Sequence, residues 1–264
     1  MKITALVENK AKNGLKGKHG LSLYIETENH KILFDLGPDN TLFDNARIKG
    51  IDLSEIDTVI ISHGHMDHGG AISRFLQVNS HAKIYVQRTA FHPHYSKFLF
   101  MKVNVGLDEK FERHPQIILV DGDYQIDDEL SLFTINDISE CYSNANDGLY
   151  QKGKKDDFLH EHNLVINERK TVVIMGCGHA GVVNIMEKAI SYHPQFCIGG
   201  YHLFNPLTKK TVSQTLLNEI VKRLQRYHKL KFYTCHCTGT AAFQYLSQKM
   251  PNMFYLSCGE EIVI

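Results

Sequence analysis

Short apolar runs separated by polar turns recur along the chain, and they predict a sheet-rich α/β protein. In the first part, apolar or alternating runs rich in β-branched residues predict strands, and the longer stretches between some of them predict helices. The predicted strands lie at 2–8, 21–27, 31–36, 59–61, 83–86, 116–120 and 129–135, and the predicted helices at 39–49 and 70–79. This order is expected for one half of a layered α/β fold.

The second part alternates strands and helices, which supplies helices for another outer layer. Strands are predicted at 163–168, 171–176, 196–199, 231–235 and 253–257, and helices at 182–191, 211–228 and 239–249. We predict a single domain over residues 1–264.

Two stretches interrupt this pattern. Residues 88–115 mix aromatic, histidine and cationic side chains, which predicts a cap over a site or a helical excursion packed on the core. Residues 141–162 are polar and rich in turn residues, which predicts a mobile loop. Neither stretch has the clean period of a core element.

The most informative stretch follows the apolar run 59–61. Within six residues it contains the imidazole and carboxylate ligands that Zn²⁺, Mn²⁺ and Fe²⁺ accept, namely His63, His65, Asp67 and His68. A turn through Gly64 can direct the first two histidines at one metal ion, while Asp67 and His68 face a second. We therefore predict a metal site at this strand end, in preference to a solvated histidine-rich loop.

Three later strands are also followed by a histidine. Strand 171–176 leads to His179, strand 196–199 to His202, and strand 231–235 to His236. Because strand ends at one sheet edge are neighbours in space, we predict His179 and His236 as further ligands and His202 as a ligand or a substrate contact. Cys177, between two glycines, is either a small buried hydrophobic residue or a thiolate that faces a metal.

The motif His63-x-His65-x-Asp67-His68 at a strand-to-helix junction resembles that of the metallo-β-lactamase superfamily. The resemblance implies a four-layer αβ/βα sandwich with a metal site at one edge. It also implies that Asp35, which follows the third strand, supports the metal-binding loop; an ordinary turn aspartate is the alternative.

Further motifs resemble the dihydropteroate-synthase-like branch of that superfamily. This branch includes 7,8-dihydropterin-6-methyl-4-(β-D-ribofuranosyl)-aminobenzene-5'-phosphate synthases and proteins described as metal-dependent hydrolases. The motifs are His19-Gly20-Leu21-Ser22, Phe34-Asp35-Leu36-Gly37, Gly176-Cys177-Gly178-His179, Gly199-Gly200-Tyr201-His202 and His236-Cys237-Thr238-Gly239.

Two departures from the superfamily pattern leave the number of metal ions open. Cys177 stands where most members carry a metal-bridging aspartate. The usual third histidine has only His160 or His162 as counterparts before strand 163–168, so His179 is expected to take its place. The prediction is one or two divalent ions, with Zn²⁺ as the first choice and Mn²⁺ or Fe²⁺ as alternatives.

The composition argues against several classes of partner. The 264 residues contain 29 Lys plus Arg and 29 Asp plus Glu, so no net charge attracts nucleic acid or an anionic membrane. The sequence shows no signal-peptide pattern and no apolar run of membrane-spanning length. Six cysteines without a CxxC pair predict a reducing cytoplasm. We expect a small-molecule substrate, anionic or aromatic, and leave oligomerisation open.

Three functional hypotheses follow. The first is a metal-dependent hydrolase in which hydroxide attacks an ester, lactone or phosphoester. The resemblance supplies the second, a pterin–aminobenzene condensation that releases pyrophosphate. The third is a non-hydrolytic metal-binding or redox-sensing protein that uses Cys177, Cys235 and Cys237. The catalytic candidates are Asp67, Cys177 and His202. The candidate substrate contacts are His19, Arg88, His92, His94 and Lys97.

Overall fold

A computed structural model describes residues 1–98 and 100–264. In chain order the strands are β1 (Lys2–Val7), β2 (Ser22–Glu26), β3 (Lys31–Phe34), β4 (Thr58–Ile61), β5 (Lys83–Gln87), β6 (His94–Phe98), β7 (Met101–Asn104), β8 (Ile117–Val120), β9 (Tyr124–Gln125), β10 (Leu130–Phe133), β11 (Leu149–Gln151), β12 (Lys154–Lys155), β13 (Asn163–Asn167), β14 (Thr171–Ile174), β15 (Phe196–Gly199), β16 (Phe204–Asn205), β17 (Lys210–Thr211), β18 (Lys231–Thr234), β19 (Met253–Tyr255) and β20 (Glu261–Val263).

The helices are short, and all but α2, which lies at a sheet edge, cover the outer faces of the sheets. They are α1 (Thr41–Lys49), α2 (Met66–Gly69), α3 (Ile72–Val78), α4 (Val182–Ala189), α5 (Gln214–Leu224) and α6 (Thr240–Lys249). Within the described ranges, no helix is both long enough and apolar enough to cross a membrane.

Two seven-stranded sheets form the centre of the protein. Their strand orders are β20-β1-β2-β3-β4-β5-β8 and β19-β18-β15-β14-β13-β10-β9. Apolar side chains from both sheets, such as Ile60 of β4 and Ile174 of β14, pack together in one buried cluster. Burial of this surface between the sheets supplies the main hydrophobic stabilisation of the inner layers.

Two further clusters attach the helices to the outer faces. Phe75 of α3 packs with Val59 behind the first sheet. Ile185 of α4 and Leu217 of α5 pack with Val173 behind the second sheet. The order of layers is helix, sheet, sheet, helix, which confirms the predicted αβ/βα sandwich.

The sheet topology brings the predicted ligands to one edge. Strands β3, β4, β5 and β8 run parallel, and so do β14, β15, β18 and β19. The carboxyl ends of parallel strands share one edge, so the segments after β4, β14, β15 and β18 can meet there.

A third sheet of four strands has the order β12-β11-β6-β7. It joins the two stretches that interrupted the pattern, since β6 and β7 lie in 88–115 and β11 and β12 lie in 141–162. Tyr95 of β6 is paired with Tyr150 of β11. The sequence did not predict this sheet, because its strands are short and the side chains of β7 are exposed, so no buried face imposes a period of two.

Both boundaries of one predicted helix are wrong. The helix expected over 211–228 begins at Gln214, because Thr211 belongs to the short strand β17, and it ends at Leu224, where a 3₁₀ turn over Gln225–Tyr227 follows. Ser213 caps this helix, since its side chain accepts a hydrogen bond from the backbone N–H of Leu216.

Candidate metal centre

The first ligand loop follows β4 and is held by a buried carboxylate. Asp35 accepts hydrogen bonds from Ser62 N at 2.7 Å and Ser62 Oγ at 2.8 Å, and it lies 2.6 Å from His68 Nδ1. Asp35 has φ of +63°, a left-handed conformation that is uncommon for a residue other than glycine. A Cβ on Gly64 would collide with the backbone oxygen of Ala90, which explains why glycine lies between the first two histidines of the loop.

Three histidines, His63, His65 and His179, form the first candidate ligand set, called the first ligand set below. One ring nitrogen of each lies within 4.8 Å of the other two, and the Nε2 atoms of all three are buried without a hydrogen-bond partner. Burial and the neighbouring histidines hold the pKa of His63 and His179 well below the ordinary value, so these rings are neutral. Buried, unpartnered nitrogens that converge in this way fit a divalent metal ion.

Asp67, His68 and His236 form the second candidate ligand set, called the second ligand set below. His236 Nε2 lies 3.3 Å from both His68 Nε2 and Asp67 Oδ2. Burial opposes ionisation of Asp67, but His68 and His236 outweigh it and hold the pKa of Asp67 well below its usual range. Burial likewise acts to lower the pKa of His68, yet Asp35 and Asp67 raise it to about 9. The set therefore favours a positive charge beside His68 Nε2, which a divalent ion can supply in place of a proton.

Cys177 lies between the two sets. Its Sγ is 3.2 Å from His68 Nε2. The same Sγ lies within 4.8 Å of possible ligand atoms in three pairs of residues, namely His63 with His68, His236 with Cys237, and His179 with His202. Burial raises the pKa of this thiol well above its ordinary value. Cys177 could therefore contact an ion of either set. It is buried, as one sequence interpretation expected, and it also faces possible metal ligands, as the other expected.

His160 has a different role from the ligands. The backbone N–H of Gly64 donates to His160 Nδ1 at 2.9 Å, so the ring proton must sit on Nε2, which lies 3.1 Å from Asp156 Oδ1. Both ring nitrogens of His160 thus have hydrogen-bond partners within the protein, whereas the Nε2 atom of His179 has none. His162 Nδ1 accepts from Gln87 at 3.2 Å. The geometry favours His179 over His160 as the third histidine of the first set.

A cavity of about 400 Å³ opens above both ligand sets. Of the predicted ligands and catalytic candidates, it is lined by His65, Asp67, Cys177, His179, His202 and His236. His202 is 8% exposed, its Nδ1 has no hydrogen-bond partner, and its ring centroid is 4.2 Å from that of His179. An ion held by either set would be accessible to a small molecule in this cavity.

The predicted substrate contacts are only partly brought to this cavity. His19 lies at its rim, with Nε2 3.4 Å from Asp67 Oδ2. Among the described residues, Arg88, His92, His94 and Lys97 are absent from the cavity wall. His94 lies 3.1 Å from Asp156 through Nδ1, and the ammonium of Lys97 lies 3.7 Å from the centre of the Tyr150 ring.

Sequence reasoning missed the residues that hold the ligands in place. Asn9 lies 2.9 Å from His236 Nδ1, and Asn146 lies 2.8 Å from His179 Nδ1. These asparagines are 227 and 33 positions from the histidines that they contact. No local pattern connects them, so only the three-dimensional structure could identify them.

Comparisons with known proteins show the family to which the chain belongs. Residues 15–183 match the metallo-beta-lactamase superfamily, and the chain belongs to that superfamily. It is 28% identical to a 7,8-dihydropterin-6-methyl-4-(beta-D-ribofuranosyl)-aminobenzene-5'-phosphate synthase of Methanocaldococcus jannaschii, over 85% of this chain and 82% of that protein. It is also 28% identical to uncharacterized protein MJ0448 of the same organism, over 99% of this chain and 100% of that protein.

Among solved structures, the chain is similar to Tm1679, described as a metal-dependent hydrolase of the beta-lactamase superfamily. The TM-score is 0.83 at 25% sequence identity, and the alignment covers 100% of this chain and 99% of that one. The fold and the resemblance that the sequence predicted are thus confirmed, and the residues at the sheet edge include groups that can hold a divalent metal.

Proposed function

We propose that the protein is a metal-dependent hydrolase that acts on a small molecule with an apolar or aromatic body. The observation that carries this proposal is the convergence of two ligand sets beneath one cavity. Two divalent ions bound there would lower the pKa of water and polarise an acyl or phosphoryl oxygen. The similarity to Tm1679, described as a metal-dependent hydrolase, supports the proposal.

The side chains of the site have separable roles in this reaction. Asp67 stays ionised and bears the negative charge that a divalent ion requires. His202, which lines the cavity, is assigned to contact the substrate. His19 closes the rim beside Asp67. The third sheet, which contributes Ser96 and Val103 to the wall, forms the cap.

The cavity wall favours the apolar or aromatic substrate over the anionic one. Apart from the ligands, most wall residues are apolar, namely Pro38, Met66, Val103, Val105, Ala145, Leu149, Pro206 and Leu207. Among the described wall residues, Lys18 is the one Lys or Arg, and its ammonium is paired with Asp39 at 2.8 Å. A multiply charged substrate would lose hydration here without gaining a cationic partner from the wall.

The direct experiment is a substrate panel with purified protein. It contains p-nitrophenyl esters of increasing acyl length, an aromatic ester, a γ-lactone and bis(p-nitrophenyl) phosphate. We expect turnover of the esters or the lactone, rising with apolar surface, lost on chelation and restored by Zn²⁺ or Mn²⁺. His63→Ala should abolish it, while His228→Ala, at an exposed histidine after α5, should not.

Two results would overturn the proposal. The first is turnover that persists in His63→Ala or after chelation, since the metal would then have no part in it. The second is a wild-type protein that binds metal and cleaves none of the substrates, which would favour the non-hydrolytic hypothesis.

The synthase is the second candidate, and one observation favours it. The relative from Methanocaldococcus jannaschii that carries this name is 28% identical over most of both chains. The apolar cavity is also compatible with an aromatic ring system. The test is release of pyrophosphate from a pterin diphosphate in the presence of an aminobenzene, measured with a coupled phosphate assay. Pyrophosphate release that requires the aminobenzene would favour the synthase over the hydrolase.

A further inference from the structure

Two buried histidines of the centre are held by the same arrangement of hydrogen bonds. At His179, the backbone N–H donates to Glu161 Oε1 at 2.8 Å. The side-chain amide of Asn146 contacts the same histidine twice. Its Nδ2 donates to His179 O at 3.0 Å, and its Oδ1 lies 2.8 Å from His179 Nδ1. Three polar groups of one residue are thus bound by one glutamate and one asparagine.

The arrangement recurs at His236 with different residues. The backbone N–H of His236 donates to Glu8 Oε1 at 2.7 Å. Asn9 Nδ2 donates to His236 O at 3.3 Å, and Asn9 Oδ1 lies 2.9 Å from His236 Nδ1. Glu8 and Asn9 follow β1, whereas Asn146 and Glu161 come from the segments around β11 and β12. Unrelated parts of the chain therefore produce the same contacts.

These contacts decide which ring nitrogen carries the proton. Each asparagine donates through Nδ2 to the histidine carbonyl, so its Oδ1 must face the ring. The ring nitrogen Nδ1 then donates, and Nε2 keeps its lone pair. In both histidines the lone pair is thereby left on the nitrogen that is available to the ligand set. His236 is also held at φ of +49°, a conformation that requires support from its surroundings.

We propose that Asn146 with Glu161, and Asn9 with Glu8, are two matched clamps that position one histidine ligand for each metal ion. The inference rests on the proposed function, because it requires that the two sets bind metal. Each clamp fixes the tautomer and the ring direction before the ion arrives, so the ion does not have to order the ligand itself. The clamps act through the histidines and are positioning residues.

Burial distinguishes the two clamps. Asn146 and Glu161 are each 2% exposed, and Glu8 is fully buried, whereas Asn9 is exposed. Water can replace some of the contacts of Asn9 but not those of Asn146. We therefore expect Asn146→Ala to weaken its ion more than Asn9→Ala weakens the other ion.

The experiment measures Zn²⁺ affinity by competition with a chromophoric chelator in single and double variants. Asn146→Ala should weaken one ion by roughly 10-fold to 100-fold, the range found when groups that orient metal ligands are removed. Asn146→Ala in a His236→Ala background, where only the first set is intact, should weaken Zn²⁺ binding by the same factor. In a His179→Ala background it should have no effect. Asn9→Ala should weaken Zn²⁺ binding in the His179→Ala background and have no effect in the His236→Ala background.

A matched control distinguishes an effect on the position of a metal ligand from a general loss of protein stability. Asn79 is 2% exposed and also binds backbone groups through its amide, at Leu53 O, Ile56 O and Ala82 N, but it contacts neither ligand set. Asn79→Ala should lower the free energy of unfolding without changing either Zn²⁺ affinity. Asn146→Asp, which retains an acceptor for His179 Nδ1, should retain most of the affinity and remains informative if the alanine variant does not fold.

The outcomes separate the clamps from the proposed function. Wild-type protein that binds two ions, with clamp variants that leave both affinities unchanged or weaken both equally, would overturn the clamps alone. Wild-type protein that binds no Zn²⁺ would overturn both the metal-dependent function and the inference that depends on it.

Discussion

Asp35→Asn should destabilise the metal-free protein and weaken metal binding together. Asp35 is fully buried and uses both carboxylate oxygens, one for Ser62 N and one for Ser62 Oγ and His68 Nδ1. Asparagine keeps the shape of the side chain but replaces one oxygen by a donor. The N–H of Ser62 or the Nδ1–H of His68 must then lose its acceptor, whichever way the amide is turned.

The magnitude follows from these contacts. A hydrogen bond to a charged group contributes about 1.5–3 kcal/mol, and a buried donor without a partner costs about 1–3 kcal/mol. We expect the free energy of unfolding to fall by about 2–4 kcal/mol. If His68 then carries its proton on Nε2, the nitrogen that faces Asp67 and His236 is no longer a ligand. The affinity for one ion should therefore fall by roughly 10-fold to 100-fold.

The assay combines urea denaturation in the presence of chelator with Zn²⁺ competition on the folded protein. Asp52→Asn is the control, because Asp52 is exposed, accepts from Ser54 N at 2.9 Å, and caps a short helical turn that asparagine caps equally well. It should change stability by less than about 1 kcal/mol. An Asp35→Asn protein with wild-type stability and wild-type Zn²⁺ affinity would refute the supporting role of Asp35.

Three further predictions concern the thiol, the pH dependence of stability and the cavity wall. Co²⁺-loaded wild type should show a thiolate-to-metal charge-transfer absorption that Cys177→Ser lacks; a band that persists in the variant would exclude Cys177 as its source. Burial lowers the pKa of His162 to about 4 in the folded protein, whereas the unfolded chain has the ordinary value of about 6.5. As the pH falls, the unfolded chain therefore binds a proton at His162 before the folded protein does. The contribution of this group to stability is present above about pH 6.5 and is lost toward pH 4. The free energy of unfolding, measured by urea denaturation with chelator between pH 6.5 and pH 4, should fall by about 3 kcal/mol less in His162→Asn than in the wild type. An equal dependence of this free energy on pH in the two proteins would contradict the prediction. Val103→Asp should lower kcat/KM for apolar esters about 10-fold without changing metal content; an unchanged value would remove Val103 from the substrate wall.

The sequence predicted the elements that have a strong local pattern. Strands such as β14 and β15 are continuous buried runs, so their positions follow from composition and length alone. The loop from His63 to His68 was recognisable because its four candidate ligands lie close together in sequence and follow such a strand. The recurrence of histidines after other strands then indicated His179 and His236, because parallel strands share an edge.

The rest of the site depends on contacts that no local pattern records. The order of the strands decides that Asn9, after β1, reaches His236, after β18. His160 is a second example. Its position in the sequence suggested a metal ligand, but in the structure its Nδ1 accepts a hydrogen bond from the N–H of Gly64. The third sheet pairs β6 with β11 across about fifty residues, so its short strands could not be predicted from either segment alone.

Metal content per chain, measured by elemental analysis, is the measurement to make first. We expect two ions in the wild-type protein, one in His179→Ala and one in His236→Ala, because each variant removes a candidate ligand from a different set. A wild-type protein that binds no divalent ion, or variants that both retain two ions, would contradict the assignment of these residues.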